Sequence, residues 1–328
     1  ISQKKTNSDN EKIVKTEMKK HGSLKYIAKS SAPVILIVLD ELPSSDEIFK
    51  YTKNKNSYDF DENLKQQGFE VYSSFSSKSY ITQSSMSSLF NFNQHNFEYF
   101  NDYENEITDS DSNWGYKSKI IVDLFRKNLL VDSLIRKNIS VNSFGLVNFD
   151  NSNTSKFDDY YWDNRFNRSL KKTSLNKLIS DVSYVTVVGF IKKKINLNSS
   201  IDSFRKNVLD SLKTFIPEKN NFYYFHIHAP HEPFKYFNEF PRNATNNSSK
   251  TINFIEFKKF FTNKVQQILK DKKFNDSRII ITGDHGWRED IRINKFQTSL
   301  YLKNYENFTL KDDFYVQDLG FLILNSFK

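Results

Sequence analysis

The sequence predicts an α/β fold in which a doubly wound, mostly parallel sheet carries helices on both faces. Two largely apolar runs, Val34–Leu39 and Arg278–Thr282, are typical of strands that are buried on both sides. Helical patterns alternate with strand patterns along the chain, as they do in βαβ units. The 328 residues, 38% of them hydrophobic, are enough for a sizeable core in one large domain or two small ones.

The individual elements follow one another in a regular order. Strands are predicted at Val34–Leu39, Phe69–Tyr72, Val141–Val147, Phe222–Phe225, Arg278–Thr282 and Gln297–Leu302. Helices are predicted around Leu64–Gln67, after Thr82, and over Ile120–Lys137, Ile201–Phe215, Ile252–Leu269 and Leu319–Phe327.

The polar, Lys-rich residues 1–32 are expected to form a linker or N-terminal extension. We expect 33–328 to form one domain with insertions near 91–118 and 150–200, where the composition becomes polar and aromatic. The chain starts at Ile1 and contains no apolar run of about 18 residues, so we expect a membrane anchor to lie upstream.

The formal net charge of +9 and the pI of about 9.2 indicate an anionic partner. The Lys and Arg residues are scattered and match no nucleic-acid-binding module, which favours an anionic membrane or glycan surface over nucleic acid. A merely solvated basic exterior is the alternative. The absence of Cys excludes disulfides, thiolate metal sites and cysteine nucleophiles.

Acidic and imidazole side chains follow the two apolar strands. Asp40 and Glu41 come directly after the first, and Asp284 and His285 follow the last at Gly283. Ligands bind beyond the carboxyl ends of strands in open α/β sheets, and Asp and neutral His are ligands that Zn²⁺ or Mn²⁺ accepts. Turn or capping roles are the alternative for these residues.

Thr82 follows a hydroxyl-rich turn and is predicted to lie at or near the N-cap of a helix. Backbone N–H groups and the helix dipole favour an anion at this place. The hydroxyl of Thr82 can therefore be a nucleophile beside a bound phosphoryl group, or it can simply cap the helix.

Three of the six histidines, His226, His228 and His231, lie within six residues at the end of a predicted strand. Histidines at such a place can bind a metal, hold a phosphate or move protons. The alternative is a chance cluster of packed side chains.

In their order along the chain, the segments Val34–Pro43, Thr82–Ser85, His226–Phe234 and Ile279–Gly286 resemble the alkaline phosphatase/sulfatase superfamily. Within it, the chain is most similar to the sulfatase-like phosphoethanolamine/phosphoglycerol transferases of bacterial envelopes. The resemblance covers most of residues 33–328 in organisation, and its two most specific motifs contain the histidines and the Asp284-His285 pair.

This resemblance implies roles for the candidate residues. It implies one divalent metal ion, Zn or Mn, with Mg or Ca as alternatives, and it implies that the nucleophile is Thr82. The implied metal ligands are Asp40, Glu41, Thr82, Asp284 and His285. The resemblance implies that His226, His228 and His231 are catalytic residues that bind the substrate or belong to a second site.

Two departures from the family narrow the expected reaction. Sulfatases carry a Cys/Ser-x-Pro-x-Arg motif, whereas this chain has no Cys, and Thr82–Met86 has neither Pro nor Arg in those places. An additional Asp-x-x-x-His motif, which a full second metal site would need, is also missing. Because the Cys/Ser-x-Pro-x-Arg motif is missing, sulfate-ester hydrolysis is not expected. Because the second motif is missing, we expect one metal ion.

The resemblance implies a transferase that moves phosphoglycerol or phosphoethanolamine from a phospholipid donor to a surface glycan or lipid A through a phosphothreonine. We expect this enzyme outside the cytoplasm, in the periplasm or at the cell surface, beside an anionic membrane and without a nucleic-acid partner. A metal-dependent phosphodiesterase that uses water and an inactive glycan-binding domain remain the alternatives.

Overall fold

The computed structural model describes residues 31–92, 124–145, 149, 203–231, 247–306 and 308–327. Apart from residues 31, 32, 91 and 92, the predicted N-terminal linker and the predicted insertions near 91–118 and 150–200 lie outside the described residues.

A mixed, mostly parallel sheet of six strands forms the centre of the described part of the chain. Its strands are β1 (Val34–Leu39), β2 (Phe69–Ser76), β3 (Ser140–Phe144), β4 (Asn221–Ile227), β5 (Arg278–Gly283) and β6 (Gln297–Lys303). They are ordered β2-β6-β5-β1-β4-β3, with β6 antiparallel to both of its neighbours and the remaining pairs parallel. The predicted fold class is confirmed.

Helices connect and cover these strands. They are α1 (Ser45–Thr52), α2 (Asp59–Lys65), α3 (Thr82–Phe90), α4 (Leu129–Arg136), α5 (203–214), α6 (Asn247–Leu269) and α7 (Leu319–Asn325). Short 3₁₀ turns lie at Lys55–Tyr58, Lys272–Phe274 and Val316–Asp318. Within the described ranges, no helix has both the length and the apolar character that crossing a membrane requires.

The central strand β1 packs against helices on both faces because its side chains alternate. Val34, Leu36 and Val38 pack in one cluster with residues of α3, α4 and α7. Residues 35, 37 and 39 pack in a second cluster with residues of α2, α5 and α6. All six side chains are fully buried, and burying such a side chain contributes about 1.5–3 kcal/mol. The continuous apolar run therefore fixes β1 in the middle of the sheet.

The strand register brings three loop starts together at one edge of the sheet. Leu39, the last residue of β1, pairs with Ile227 of β4 on one side and with Gly283 of β5 on the other. The residues that follow Leu39, Ile227 and Gly283 therefore leave the sheet side by side. The polar residues after these three strands lie in one region at the carboxyl ends of the strands.

The single helix predicted over Ile120–Lys137 is wrong in its described part. Residues 124–126 are helical, the chain bends at Lys127, and a new helix α4 starts at Leu129. Asn128 stabilises this break from both sides, because its amide donates to the Phe125 carbonyl (2.8 Å) and accepts from the Val131 N–H (2.8 Å). The hydrophobic period continues through the break, so periodicity alone does not reveal it.

Two further boundaries differ from the prediction. Strand β2 continues to Ser76 instead of ending at Tyr72, with an irregularity in its pairing with β6 between Tyr72 and Phe75. Helix α1 is not among the predicted helices. It directly follows the loop after β1. Ser44 caps it by accepting a hydrogen bond from the Glu47 N–H (3.1 Å).

Candidate active site

Asp40, Asp284 and His285 form a compact, fully buried group beyond the carboxyl ends of β1 and β5. One ligand atom of each residue lies within 4.8 Å of those of the other two. Among the described residues, this is the group of side chains whose types and spacing suit a metal ion. The predicted meeting of these three residues agrees with their positions in the structure.

The two carboxylate oxygens of Asp284 have different surroundings. Oδ1 accepts hydrogen bonds from the backbone N–H groups of Glu41 and His285, both at 3.0 Å. Oδ2 is buried without a hydrogen-bond partner among the described residues, and it lies 3.3 Å from His285 Nε2. A buried carboxylate oxygen in this state is costly unless a cation meets it.

The tautomer of His285 follows from its backbone contact. Nδ1 lies 2.6 Å from the Gly286 carbonyl oxygen, which can only accept, so Nδ1 carries a proton. In the neutral imidazole, Nε2 therefore presents a lone pair. That lone pair points to the region where the Thr82 hydroxyl lies, at 3.3 Å.

Thr82 is the first residue of α3, and the N-cap is Ile81 rather than Thr82. The Thr82 hydroxyl donates to Asp40 Oδ1 over 3.2 Å and lies 3.3 Å from His285 Nε2. It thus faces the acidic group and not the backbone N–H groups of its own helix. The alternative in which Thr82 only caps the helix does not describe this geometry.

The donor set fits a divalent cation on electrostatic grounds. Asp40 Oδ1, Asp284 Oδ2 and His285 Nε2 all present lone pairs, while the Thr82 hydroxyl supplies one proton among them. One hydroxyl proton cannot satisfy three acceptors, so these atoms repel each other. A cation that accepts several of the lone pairs relieves this repulsion.

His228 holds the other oxygen of Asp40. Its Nδ1 lies 2.5 Å from Asp40 Oδ2, and both side chains are buried. Burial lowers the pKa of His228 to about 3, so the imidazole is neutral and donates from Nδ1. Burial opposes ionisation of Asp40, but the nearby His231 and His228 hold the pKa of this carboxyl well below its usual range.

His226 is fully buried on β4 and contacts Tyr224 two residues earlier, on the same face of the strand. The Tyr224 hydroxyl lies 2.7 Å from His226 Nδ1. Burial lowers the pKa of His226 and raises that of Tyr224 well above its ordinary value, so both groups are neutral at neutral pH. The Nε2 atom of His226 is buried and has no hydrogen-bond partner in the described part of the chain.

Glu41 lies against Arg288 and His231 rather than in the compact group. Arg288 Nε is 2.8 Å from Glu41 Oε1 in an ion pair. His231 Nε2 is 3.6 Å from the same oxygen, and it is 3.1 Å from Arg288 Nη2. Burial raises the pKa of Glu41, which His231 and Arg288 oppose.

Two arginines of this region are missing from the sequence-based prediction. Besides Arg288, the fully buried Arg205 on α5 donates to the carbonyl oxygens of His228 (2.5 Å) and His231 (2.6 Å). Its guanidinium also lies over the Phe257 ring, 5.2 Å from the centroid. The position of Arg288, four residues after Asp284, is a signal that could have identified it. No pattern in the sequence marks Arg205.

Gly286 is required by a close approach of two backbone segments. A Cβ atom there would lie 2.5 Å from the Gln297 carbonyl oxygen and 2.6 Å from that of Asn294. The Gly286 N–H also donates to the Lys295 carbonyl over 2.8 Å. The glycine lets the loop that carries Asp284 and His285 pack directly on the start of β6.

The chain is similar to known proteins in its sequence pattern and in its backbone structure. A protein-family model described as Sulfatase matches residues 33–307, which is most of the chain. No curated protein matches the chain in sequence.

Solved structures with a similar backbone include the lipoteichoic acid synthase LtaP from Listeria monocytogenes, at 14% identity and a TM-score of 0.46, over 89% of this chain and 72% of that one. The C-terminal periplasmic domain of EcEptC from Escherichia coli, in complex with Zn, is similar at 9% identity and a TM-score of 0.48, over 89% of this chain and 81% of that one. The 2-O GAG sulfatase BT1596 is similar at 9% identity and a TM-score of 0.45, over 83% and 63%.

Proposed function

This chain belongs to the sulfatase family, and from that premise we propose that it is a metal-dependent transferase with Thr82 as its nucleophile. It moves phosphoglycerol or phosphoethanolamine from a phospholipid to a surface glycan or lipid A. The observation that carries this proposal is the position of the Thr82 hydroxyl, 3.2 Å from Asp40 Oδ1 and 3.3 Å from His285 Nε2.

The nucleophile favours phosphoryl transfer over sulfate-ester hydrolysis. The formylglycine of sulfatases is made from Cys or Ser, whereas the chain has no Cys and the hydroxyl in the site belongs to Thr82. An unmodified hydroxyl at the start of a helix, where the dipole favours anions, suits attack on phosphorus.

Asp40, Asp284 and His285, together with Thr82, would hold the metal, and Glu41 lies beside them in an ion pair with Arg288. A bound Zn²⁺ or Mn²⁺ supplies positive charge that offsets the anionic substrate and lowers the pKa of a nearby hydroxyl. His228 assists by holding Asp40 Oδ2, which leaves Oδ1 directed toward Thr82.

In the first half of the reaction, Thr82 Oγ1 forms a bond to the phosphorus of the donor phosphodiester. The bond from phosphorus to the oxygen of the lipid glycerol breaks, and diacylglycerol leaves after its oxygen takes a proton. The Thr82 proton is already directed to Asp40 Oδ1. In the second half, a hydroxyl of the acceptor displaces Thr82 from phosphorus, and the threonine regains its proton.

We assign the proton of the leaving oxygen to His231, because it is the most exposed of the three histidines. Its side chain is 22% exposed, compared with 6% for His228, and His226 is fully buried. The imidazolium form of His231 gives this proton to the leaving oxygen, and the neutral ring then takes up the proton of the acceptor hydroxyl in the second half. His226 then remains to hold a phosphate oxygen through its Nε2 edge.

The charge of the chain supports work beside an anionic surface. A net charge of +9 attracts the protein to anionic lipid within a Debye length of about 8 Å. We propose accordingly that the enzyme acts outside the cytoplasm, in the periplasm or at the cell surface, tethered by a membrane segment.

The test traps the covalent intermediate. The protein is incubated with Mn²⁺ or Zn²⁺ and with vesicles of phosphatidylglycerol or phosphatidylethanolamine, and its intact mass is measured after an acid quench. We expect the mass of one phospho-head group to be added, and peptide mapping to place it on Thr82.

Thr82→Ala is expected to gain no mass, while Thr262→Ala behaves as the wild type. Thr262 is a buried threonine of α6 whose hydroxyl donates within its own helix, so it is a matched control. No adduct on the wild type under any of these conditions, or an adduct that persists in Thr82→Ala, would refute the proposal. Release of free glycerol phosphate without transfer to a glycan would identify a hydrolase with the same intermediate.

A further inference from the structure

Gln317 is a buried polar residue near the C-terminal end of the chain, and its side chain contacts helix α3. It lies in the 3₁₀ turn Val316–Asp318, which leads into α7, and its side chain is 1% exposed. The match to the family model ends at residue 307, so the family pattern says nothing about this position.

The amide of Gln317 makes three hydrogen bonds. Its oxygen accepts from the Lys78 N–H (2.9 Å), and its nitrogen donates to Ser77 Oγ (2.8 Å) and Ser85 Oγ (2.9 Å). Both amide hydrogens and the carbonyl oxygen are therefore used inside the protein, as a buried amide requires.

The two serine hydroxyls can only accept from Gln317, because each has already donated its own proton. Ser77 Oγ donates to the Ser79 carbonyl (2.6 Å), and Ser85 Oγ donates to the Asp284 carbonyl (2.7 Å). A side chain that donates twice and accepts once is needed here. Glutamine meets this requirement, whereas glutamate does not.

These bonds connect Gln317 to both sides of the proposed reaction centre. Ser85 lies one turn after Thr82 on α3, and its hydroxyl joins that helix to the backbone of Asp284. The Ser77–Ser79 segment lies in the loop through which the chain enters α3. Gln317 thus fixes the start of the helix that carries the nucleophile, against the loop that carries Asp284.

The same C-terminal segment also contacts the other end of α3. A Cβ atom on Gly320 would lie 2.3 Å from the Leu89 carbonyl oxygen, so the backbones of α7 and α3 approach closely there. The rings of Phe321 and Phe92 pack with their centroids 4.8 Å apart. Both ends of α3 are therefore held by residues of the segment Val316–Asn325.

We propose that Gln317 is a positioning residue for Thr82, and that through Ser85 it sets the distance between the nucleophile and Asp284. This inference rests on the proposed role of Thr82. It assigns to the C-terminal segment a part in the reaction that residues 33–307 do not supply. Misplacement of a reacting atom by about 1 Å can lower a rate by about 10²-fold.

The test uses the hydrolysis of bis(4-nitrophenyl) phosphate with Mn²⁺ or Zn²⁺, which reports attack on a phosphodiester without a lipid surface. Gln317→Glu keeps an oxygen that can accept from the Lys78 N–H, but it loses both donors. Gln317→Leu loses all three hydrogen bonds and replaces the amide with an apolar side chain of similar size. The control is Gln266→Leu, a change at a buried glutamine of α6. Thermal unfolding of each variant is also measured without metal, so that a loss of folded protein is distinguished from a loss of activity.

We expect kcat to fall by roughly 10- to 100-fold in both Gln317 variants, with KM changed by less than about threefold, because positioning of the nucleophile affects the bond-forming step. Ser85→Ala should give a similar loss, and the Gln317→Leu/Ser85→Ala double variant should lose little more than either single one. Wild-type kcat in the Gln317 variants, a loss shared by Gln266→Leu, or additive losses in the double variant would overturn the inference. Wild-type activity in Thr82→Ala would instead overturn the proposed function.

Discussion

Glu41 donates its backbone N–H to Asp284 Oδ1 over 3.0 Å, across 243 positions of the sequence. The bond joins the loop after β1 to the loop after β5, and it holds Glu41 in a left-handed conformation with a φ of 60°. A residue other than glycine in this region is under backbone strain, which structures keep mainly at functional sites. Oδ1 of Asp284 is thereby hydrogen-bonded to the backbone, and Oδ2 is left to contact a ligand.

Asp284→Asn should separate metal binding from folding. The asparagine oxygen can still accept from the Glu41 and His285 N–H groups, but an NH₂ group replaces the ligand atom Oδ2. We expect about one Zn or Mn per wild-type chain and almost none in the variant, while the free energy of unfolding of the metal-free protein changes by less than about 1 kcal/mol.

The measurements are elemental analysis after dialysis and urea unfolding in a chelator. Asp284→Ala loses the acceptor as well, so it should lose both the metal and stability. Asp312→Asn, at an exposed carboxylate, is the control. Metal content in Asp284→Asn equal to that of the wild type would mean that Oδ2 is not a ligand.

Arg288→Met should destabilise the metal-free protein because it removes the ion-pair partner of the buried Glu41. The Arg288 side chain is 26% exposed and the Glu41 side chain 1%, so we expect a loss of about 1–3 kcal/mol, less than for a fully buried pair. Glu41→Gln in the same protein should restore most of the loss. Urea unfolding of the four proteins gives the coupling energy, and simple additivity of the two changes would contradict the prediction.

Gly286→Ala should destabilise the protein through a steric clash. The added methyl group would lie 2.5 Å from the Gln297 carbonyl oxygen, which belongs to a backbone that cannot easily move, so we expect a loss of about 2 kcal/mol or more. Gly68→Ala separates this effect from backbone strain. Gly68 has a φ of 83° with open space around it, and the change there should cost only about 1 kcal/mol. Equal losses in the two variants by urea unfolding would argue against the clash.

The stability of the metal-free protein should fall as the solution becomes acidic, in part because of His226. Its pKa is lowered in the folded state by burial, while the unfolded chain keeps a value near 6.5. Below about pH 6.5 the unfolded state therefore binds more protons than the folded state, so stability decreases as the pH falls.

Tyr224→Phe/His226→Leu removes the imidazole and its hydrogen-bond partner together. Urea midpoints measured in a chelator between about pH 7 and pH 5 should depend less steeply on pH in this variant than in the wild type. An unchanged slope would show that His226 takes up a proton in the folded protein. Tyr224→Phe alone, which keeps the imidazole, is the control.

Local patterns in the sequence were sufficient to predict the fold class and the positions of Asp40 and Asp284 at strand ends. The apolar runs of β1 and β5 place Asp40 and Asp284 at strand ends, and the parallel register brings these ends together. The break at Asn128 was not predictable from hydrophobic periodicity, because it depends on two hydrogen bonds of one side chain.

The contacts of Arg205 and Gln317 could not be predicted for a different reason. Each residue acts on the site across a long separation in sequence, Arg205 on the histidine loop and Gln317 on helix α3. Such contacts depend on how the helices pack, and no spacing rule in one sequence specifies them. The family resemblance implied that Glu41 is a metal ligand, but its side chain lies against Arg288, outside the compact group of Asp40, Asp284 and His285.

The central place of β1 in the sheet has a consequence for how the protein is made. Both strands that flank β1 are synthesised long after it, since β4 ends at Ile227 and β5 begins at Arg278. A growing chain that has not yet reached β4 therefore exposes an unpaired strand of six apolar residues, the kind of segment that aggregates. We expect this protein to depend on chaperones during synthesis more than a chain of equal length whose neighbouring strands follow each other directly.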